Sequence, residues 1–229
     1  GQAMLDWTLA AAKGAGAGRV VVVTGAHAPQ VGEHAIKALG SGSTAIQDPP
    51  LGTAHAVRAA EAALAGFEGD VIVLYGDAPF VPRERIEDIF ASRAAKGGIA
   101  VLGFEARDPT GYGRLIVGAD GALERIVEHK DSSEAERAVK LCNSGVMCAD
   151  ARMLFQLLSL VKNENAKGEY YLTDVVGLAR SSGFATQVVV GEEADALGVN
   201  SRAELAAAEA VFQARARAAA MEAGVTLID

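Results

Sequence analysis

The 229-residue chain carries a formal net charge of −8 at pH 7, with 50% of its residues hydrophobic and 22% charged. That balance fits a soluble globular protein and excludes a nucleic-acid groove, which needs clustered Lys and Arg. No apolar run approaches membrane-spanning length and no signal-peptide pattern opens the chain, so the reading is cytoplasmic, with no membrane or nucleic-acid partner.

The chain is long enough for one large α/β domain or two small ones. It opens on "MLDWTLAAAKGAG", a predicted helix. "RVVVVTG" (19–25) follows as a short β-branched run ending at Gly, the pattern of a strand buried on both faces. "PQVGEHAIKALG" reads as a helix, "TAIQ" (44–47) as a strand, and "GTAHAVRAAEAALAG" as a second Ala-rich helix. "DVIVLYGD" (70–77) is the next strand. "PRERIEDIFASRAAKGG" opens with Pro and closes on Gly, as a helix should, and "GIAVLGFEA" is a fourth strand. This βαβα order predicts a parallel sheet wrapped by helices. From 114 to 149 the texture changes to strand-like pieces, "RLIV", "ALERIVEH" and "SGVMCAD". One long polar-faced helix covers 201–224. Cys142 and Cys148 share a predicted strand at a spacing that suits neither a CxxC motif nor a disulfide framework; they read as reduced core thiols.

An α/β domain of this kind ordinarily opens with a strand whose C-terminal turn carries the phosphate-binding loop, and nothing before residue 19 reads as that strand. The expectation is that this strand and its loop lie outside the sequence. Its neighbours would be "RVVVVTG" and "DVIVLYGD", left facing each other across a slot one strand wide.

Several short stretches carry candidate chemistry. "YGDAP" (75–79) ends a buried strand with Asp77, at the sheet edge where open α/β folds bind ligands; Asp77 is either a metal ligand or a turn cap before Pro79. "QDPPLGTAHA" (47–56) enters a helix through Gly52 and Thr53. The local pattern favours Thr53 as a plain N-cap, while the alternative has the 52–53 backbone and the Gln47 amide reading the edge of a base. "EHK" and "CNSG" put Glu128 and Asn143 at strand ends, suited to sugar hydroxyls or to ordinary rim polarity. "DPTGYGR" (108–114) packs a Pro, two Gly and a Tyr between two apolar runs, as either a stiff hairpin or a backbone pressed against a ligand. His55 and His129 stand without a ligand-pair spacing, and no nucleophile motif occurs.

In order, "QDPPLGTAHA", "YGDAP", "DPTGYGR", "IVEHKD", "CNSG", "KGEYYLTD" and "GVNSR" closely resemble the bacterial N-acetylglucosamine-1-phosphate uridyltransferases, the N-terminal half of a bifunctional enzyme. The resemblance runs from Gly1 to the last residue. It implies a Rossmann-like nucleotidyltransferase fold of the α/β class, a mostly parallel mixed sheet flanked by helices with a small β-rich sugar-binding lobe and a long C-terminal helix. Within one uridyltransferase domain over 1–229, the nucleotide-binding part would cover about 1–105, the sugar-binding part about 106–200 and a linker helix about 201–224.

The resemblance also implies roles. Gln47, Gly52 and Thr53 match the uracil-reading segment, and Tyr75, Gly76 and Asp77 the strand end that meets the ribose and the metal. Gly113 would lie against the sugar, and Glu128 and Asn143 would hold its N-acetylglucosamine moiety. Asn200 matches the second protein ligand of Mg²⁺, beside Asp77. The implied partners are UTP, N-acetylglucosamine 1-phosphate and UDP-N-acetylglucosamine, a precursor of peptidoglycan and lipopolysaccharide. The family's "LAAGxGTxM" loop and its C-terminal hexapeptide-repeat domain do not occur in the sequence. The expectation is therefore weak or no turnover by the chain as written, with acetyl transfer and trimer formation left to the repeat domain.

A phosphate oxygen of the sugar 1-phosphate is already a competent nucleophile, so uridylyl transfer needs positioning and charge neutralisation but no triad or catalytic cysteine. Three other readings stay open: a nucleotidyltransferase for another sugar, a glycosyltransferase of similar fold, and a non-catalytic sugar-nucleotide-binding module.

Overall fold

The computed structural model describes residues 2–227. After helix α1 (Met4–Gly14), strand β1 (Val22–Gly25), helix α2 (Pro29–Leu39) and strand β2 (Thr44–Gln47) form a parallel βαβ unit, with Val22 opposite Thr44 and Gly25 opposite Gln47. Pro29 starts α2 because its fixed φ suits the first helical turn and its missing N–H would be unpaired there anyway. Helix α3 (Thr53–Ala59) leads through a short 3₁₀ turn into β3 (Asp70–Val73), and α4 (Arg83–Lys96) into β4 (Ile99–Glu105).

A β5–β6 hairpin (Arg114–Val117, Leu123–Val127) and the short helix α5 (Glu134–Arg137) precede the longest strand, β7 (Leu141–Asp150). Helices α6 (Ala151–Leu158) and α7 (Asp174–Ser181), strand β8 (Thr186–Gly191) and helix α8 (Arg202–Glu222) complete the described residues. Asp150 and Ser201 cap α6 and α8 by accepting the backbone N–H of Met153 and Glu204.

The mixed, helix-flanked sheet is as expected, but less of it is parallel than the βαβα order predicts. Among the described residues parallel pairing occurs in β1–β2 and β4–β8. β7 returns from the hairpin lobe running the other way and takes the centre of the larger sheet, antiparallel to β3, β4 and β5. One strand therefore belongs to both the nucleotide-side and the sugar-side segments read from the sequence.

Period-two alternation decides the two cores. Val101, Met147 and Ala149 face α6 and α7, packing with Leu154, Leu158 and Val176. Their neighbours Ala100, Leu102 and Cys148 face α4, packing on Ile86 and Ile89. Both faces of β4 and of the 146–149 end of β7 are thus covered, which is why "IAVLGF" and "VMCA" read as unbroken apolar runs. α8 is exposed along most of its length and docks at Arg215, which pairs with Asp195 at 3.0 Å, donates to Phe80 O and stacks over the Phe80 ring.

β1 pairs with β2 and β3 with β7, each leaving one edge without a strand partner among the described residues. Between those edges lies a cavity of about 690 Å³, whose lining includes Val21, Val23, Val71, Val73, Leu5 and Leu172. No described helix is long and apolar enough to cross a membrane.

Candidate functional site

The C-terminal ends of β2 and β3 form one wall of the site. Gln47 closes β2, and its Nε2 donates to Gly52 O at 2.9 Å and lies 3.2 Å from His55 Nδ1. With the amide donors so used, its carbonyl oxygen is the group left for an imino N–H. His55, read from the sequence as structural or supporting because it lacks a ligand-pair spacing, thereby orients Gln47.

Thr53 is not the N-cap that its local pattern favours. Gly52 is the cap and Thr53 the first helical residue. Its hydroxyl instead accepts the Leu172 N–H at 2.9 Å and contacts the Tyr75 hydroxyl. Gly52 has φ +111°, and a Cβ there would stand 2.6 Å from Tyr170 O and 2.8 Å from Tyr170 N. Only a residue without Cβ allows the two backbones this approach. Two further bonds seal it, Tyr170 N–H to Leu51 O at 2.8 Å and Ala54 N–H to Tyr170 O at 2.9 Å.

Past the end of β3, Tyr75 turns its ring inward against Gly145, where a Cβ would stand 2.6 Å from Tyr75 Cε2. Burial pushes its phenol up to about 12, with the Glu128 charge adding to the effect. Gly76 is exposed beside it. Asp77 makes no side-chain hydrogen bond or ion pair to the described residues, so it is not a turn cap. Its backbone carbonyl accepts the Val199 N–H at 2.9 Å, which brings exposed Asn200 alongside. One carboxylate and one amide carbonyl, both free of protein partners among the described residues, make a donor set that suits a small hard cation keeping water and phosphate oxygens in its shell.

The other wall is built around buried Gly113. A Cβ there would lie 3.6 Å from Asn143 Cβ and 3.6 Å from Glu128 Oε1, so the structure gathers these three residues at one point. A bulge in β7 presents Asn143. Its pairing to β4 jumps from Met147 opposite Val101 to Asn143 opposite Gly103. The displaced residues satisfy themselves: Ser144 Oγ donates to Leu102 O, and Gly145, at φ +91°, donates its N–H to Asn143 Oδ1 at 3.0 Å. That fixes the amide with its NH₂ free. Glu128 accepts the Thr173 hydroxyl at 3.1 Å, and burial raises its pKa.

Segment 170–173 therefore clasps the site, with its backbone on the start of α3 and its Thr173 hydroxyl on Glu128. Tyr171, with a buried hydroxyl that lacks a partner among the described residues, stands in the same acidic surroundings of Asp131 and Glu128. Asp174 is shifted upward by burial and then by Glu128 and Asp131. "EYYLTD" was a visible motif, but the roles of Tyr171, Thr173 and Asp174 carry no spacing signal of their own. A pocket wall of carboxylates and amides with few cations suits a ligand rich in hydroxyl donors.

Both cysteines are buried and free. Burial pushes the Cys148 thiol up to about 12 and raises Cys142, so neither is a thiolate nucleophile. Among the described residues no cluster of three or more His, Cys, Asp and Glu could hold a metal by itself.

Residues 1–168 match the family model described as the MobA-like NTP transferase domain. The chain is 56% identical over 228 residues to the bifunctional protein GlmU of Maricaulis maris, covering 100% of this chain and 50% of that protein. It is 54% identical over 227 residues to that of Caulobacter vibrioides, covering 99% and 49%. The chain thus spans about half the length of the curated relatives it matches. A solved UDP-glucose pyrophosphorylase, complexed with UDP-glucose, superposes with a TM-score of 0.64 at 17% identity, over 80% of this chain and 78% of that one. At that identity it speaks for the fold alone.

Proposed function

The chain belongs to the MobA-like NTP transferase family, and from that premise we propose that it serves uridylyl transfer from UTP to N-acetylglucosamine 1-phosphate, giving UDP-N-acetylglucosamine and pyrophosphate. The observation that carries the reading is the meeting of Gly113, Glu128 and Asn143 at contact distance, tied through Thr173 and Tyr75 to the Gln47–Thr53 wall.

Glu128 accepts from sugar hydroxyls while the free Asn143 amide donates, so the two hold complementary sides of the sugar. The Gln47 carbonyl takes the imino N–H of uracil. A phosphate oxygen of the sugar 1-phosphate then attacks the α-phosphorus of UTP; that P–O bond forms as the α–β bridging bond breaks and pyrophosphate leaves. No proton has to be taken from the dianionic nucleophile, which agrees with a wall that offers neither triad nor thiolate. Mg²⁺, held by the Asp77 carboxylate and the Asn200 amide, would neutralise phosphate charge when bound.

The test, on the chain joined to the family's phosphate loop, is pyrophosphate release from UTP with a panel of N-acetylglucosamine, glucose and galactose 1-phosphates, beside calorimetric binding of UDP-N-acetylglucosamine. N-acetylglucosamine 1-phosphate should be preferred, and Glu128→Ala or Asn143→Ala should raise its KM more than that of UTP. Binding without turnover would favour a non-catalytic module, and preference for another sugar would overturn the substrate assignment.

A further inference from the structure

The constraints packed into "DPTGYGR" end on Arg114, the largest fully buried side chain among the described residues, with 1% of its surface exposed. No carboxylate of the described residues pairs with it. Its Nη1 donates to Tyr112 O, its Nη2 to Arg137 O at 3.4 Å, and its Nε has no partner among the described residues. A buried cation without a counter-charge is unfavourable, and an apolar side chain of similar volume serves stability as well or better. What an apolar side chain cannot do is bridge two backbone carbonyls from different loops.

One carbonyl lies in the 108–113 loop and the other at the end of α5, which closes the segment that runs on from Glu128. Tyr112 O directly precedes Gly113, whose own carbonyl accepts the Asn143 N–H at 2.9 Å. Arg137 follows Glu128 along the opposite loop, and its Nε donates to Ser132 Oγ at 3.3 Å, while Ser132 donates to His129 O at 2.8 Å. One guanidinium thus links the backbone beside Gly113 to the end of α5, which the Arg137–Ser132–His129 hydrogen bonds tie back to the segment that follows Glu128.

We propose that Arg114 is a positioning residue, a clamp across the 108–113 and 128–137 loops that sets the separation of Gly113, Asn143 and Glu128 and so the affinity for the sugar 1-phosphate. The assignment rests on the uridylyl-transfer reading only for the identity of the sugar. Asp108, at the start of the motif, feels the Arg114 charge but spends its own carboxylate on the Thr110 N–H. The clamp therefore works on backbone alone.

The experiment uses the full protein with Arg114→Met and Arg114→Lys. Both variants are read by thermal melt, by hydrogen exchange of segments 108–114 and 128–137, and by separate KM values for UTP and N-acetylglucosamine 1-phosphate. Arg114→Met should melt within a few degrees of the parent yet exchange faster in both segments. Losing hydrogen bonds to a charged group should raise the sugar-phosphate KM roughly 10–100-fold with the UTP KM changed less than about threefold. Arg114→Lys, keeping charge but not the fork, should fall between. Unchanged exchange, or equal rises in both KM values, would overturn the assignment. If Arg114→Met fails to fold, the Lys variant decides by the same two readouts. A parent protein that turns over no sugar phosphate would instead overturn the activity, while the exchange result would still judge the clamp.

Discussion

Replacing Gly52 by Ala tests the seam on which the two walls of the site depend. The new Cβ would meet Tyr170 O at 2.6 Å and Tyr170 N at 2.8 Å, backbone atoms that no rotamer change can move away. Two consequences add. An L-residue at φ +111° carries strain of about 1–3 kcal/mol. Relieving the collision parts the Leu51–Tyr170 and Ala54–Tyr170 hydrogen bonds, each worth about 0.5–1.5 kcal/mol net. The sum is roughly 2–6 kcal/mol, and at about 2–4 °C per kcal/mol for a chain of this size the melting temperature should fall by roughly 4–24 °C. Gly40→Ala is the matched control: φ is +94° and nothing lies within 4 Å of the added Cβ, so it isolates the strain of about 1–3 kcal/mol. Since Gly52 O also receives the Gln47 amide, surviving Gly52→Ala protein should show a raised KM for UTP. Equal melting shifts for the two variants by calorimetry would refute the seam.

In a chain with the family's phosphate loop restored, Asp77→Asn and Asn200→Ala should each lower kcat by orders of magnitude while leaving the melt nearly unchanged, because neither side chain bonds the described fold; near-normal turnover by either at limiting magnesium would sink the pair. Glu136 is held at about 2, below its ordinary 4.5, first by the Ser133 hydroxyl and N–H and then by Arg125. A depressed carboxylate stabilises the fold above its unfolded pKa and loses that contribution as pH falls through the folded one. The melting difference between Glu136→Gln and the parent should therefore be full above about pH 4.5 and close toward pH 2; a difference independent of pH would count against it. Cys148, buried with its thiol pushed up to about 12, should resist Ellman's reagent at pH 8 until the protein is denatured, and prompt reaction of the native protein would contradict the core packing.

What the sequence determined by itself was local. Short apolar runs marked β1, β2, β3 and β4, Pro29 and Gly40 bracketed α2, and Ser201 opened α8, because periodicity, caps and breakers act within a few residues of chain. The ordered motifs likewise marked Gln47, Asp77, Gly113, Glu128 and Asn143 as candidates. Contacts between distant segments were another matter. Thr53 looked like a cap until Leu172, 119 residues away, was found to use its hydroxyl. Asp77 looked equally like a turn cap until its carboxylate proved free and its backbone joined to Val199. Strand order misled in the same way: β7 lies at the centre, antiparallel to three neighbours, because a strand's apolar pattern records that both faces are buried but not which edges it meets or in which direction. Arg114 carries no sign of its burial in the chain, since a guanidinium facing two carbonyls reads like any surface cation. Edges, bulges and buried polar partners are long-range choices, decided only when the tertiary fold sets unpaired backbone groups against one another and leaves no water to satisfy them.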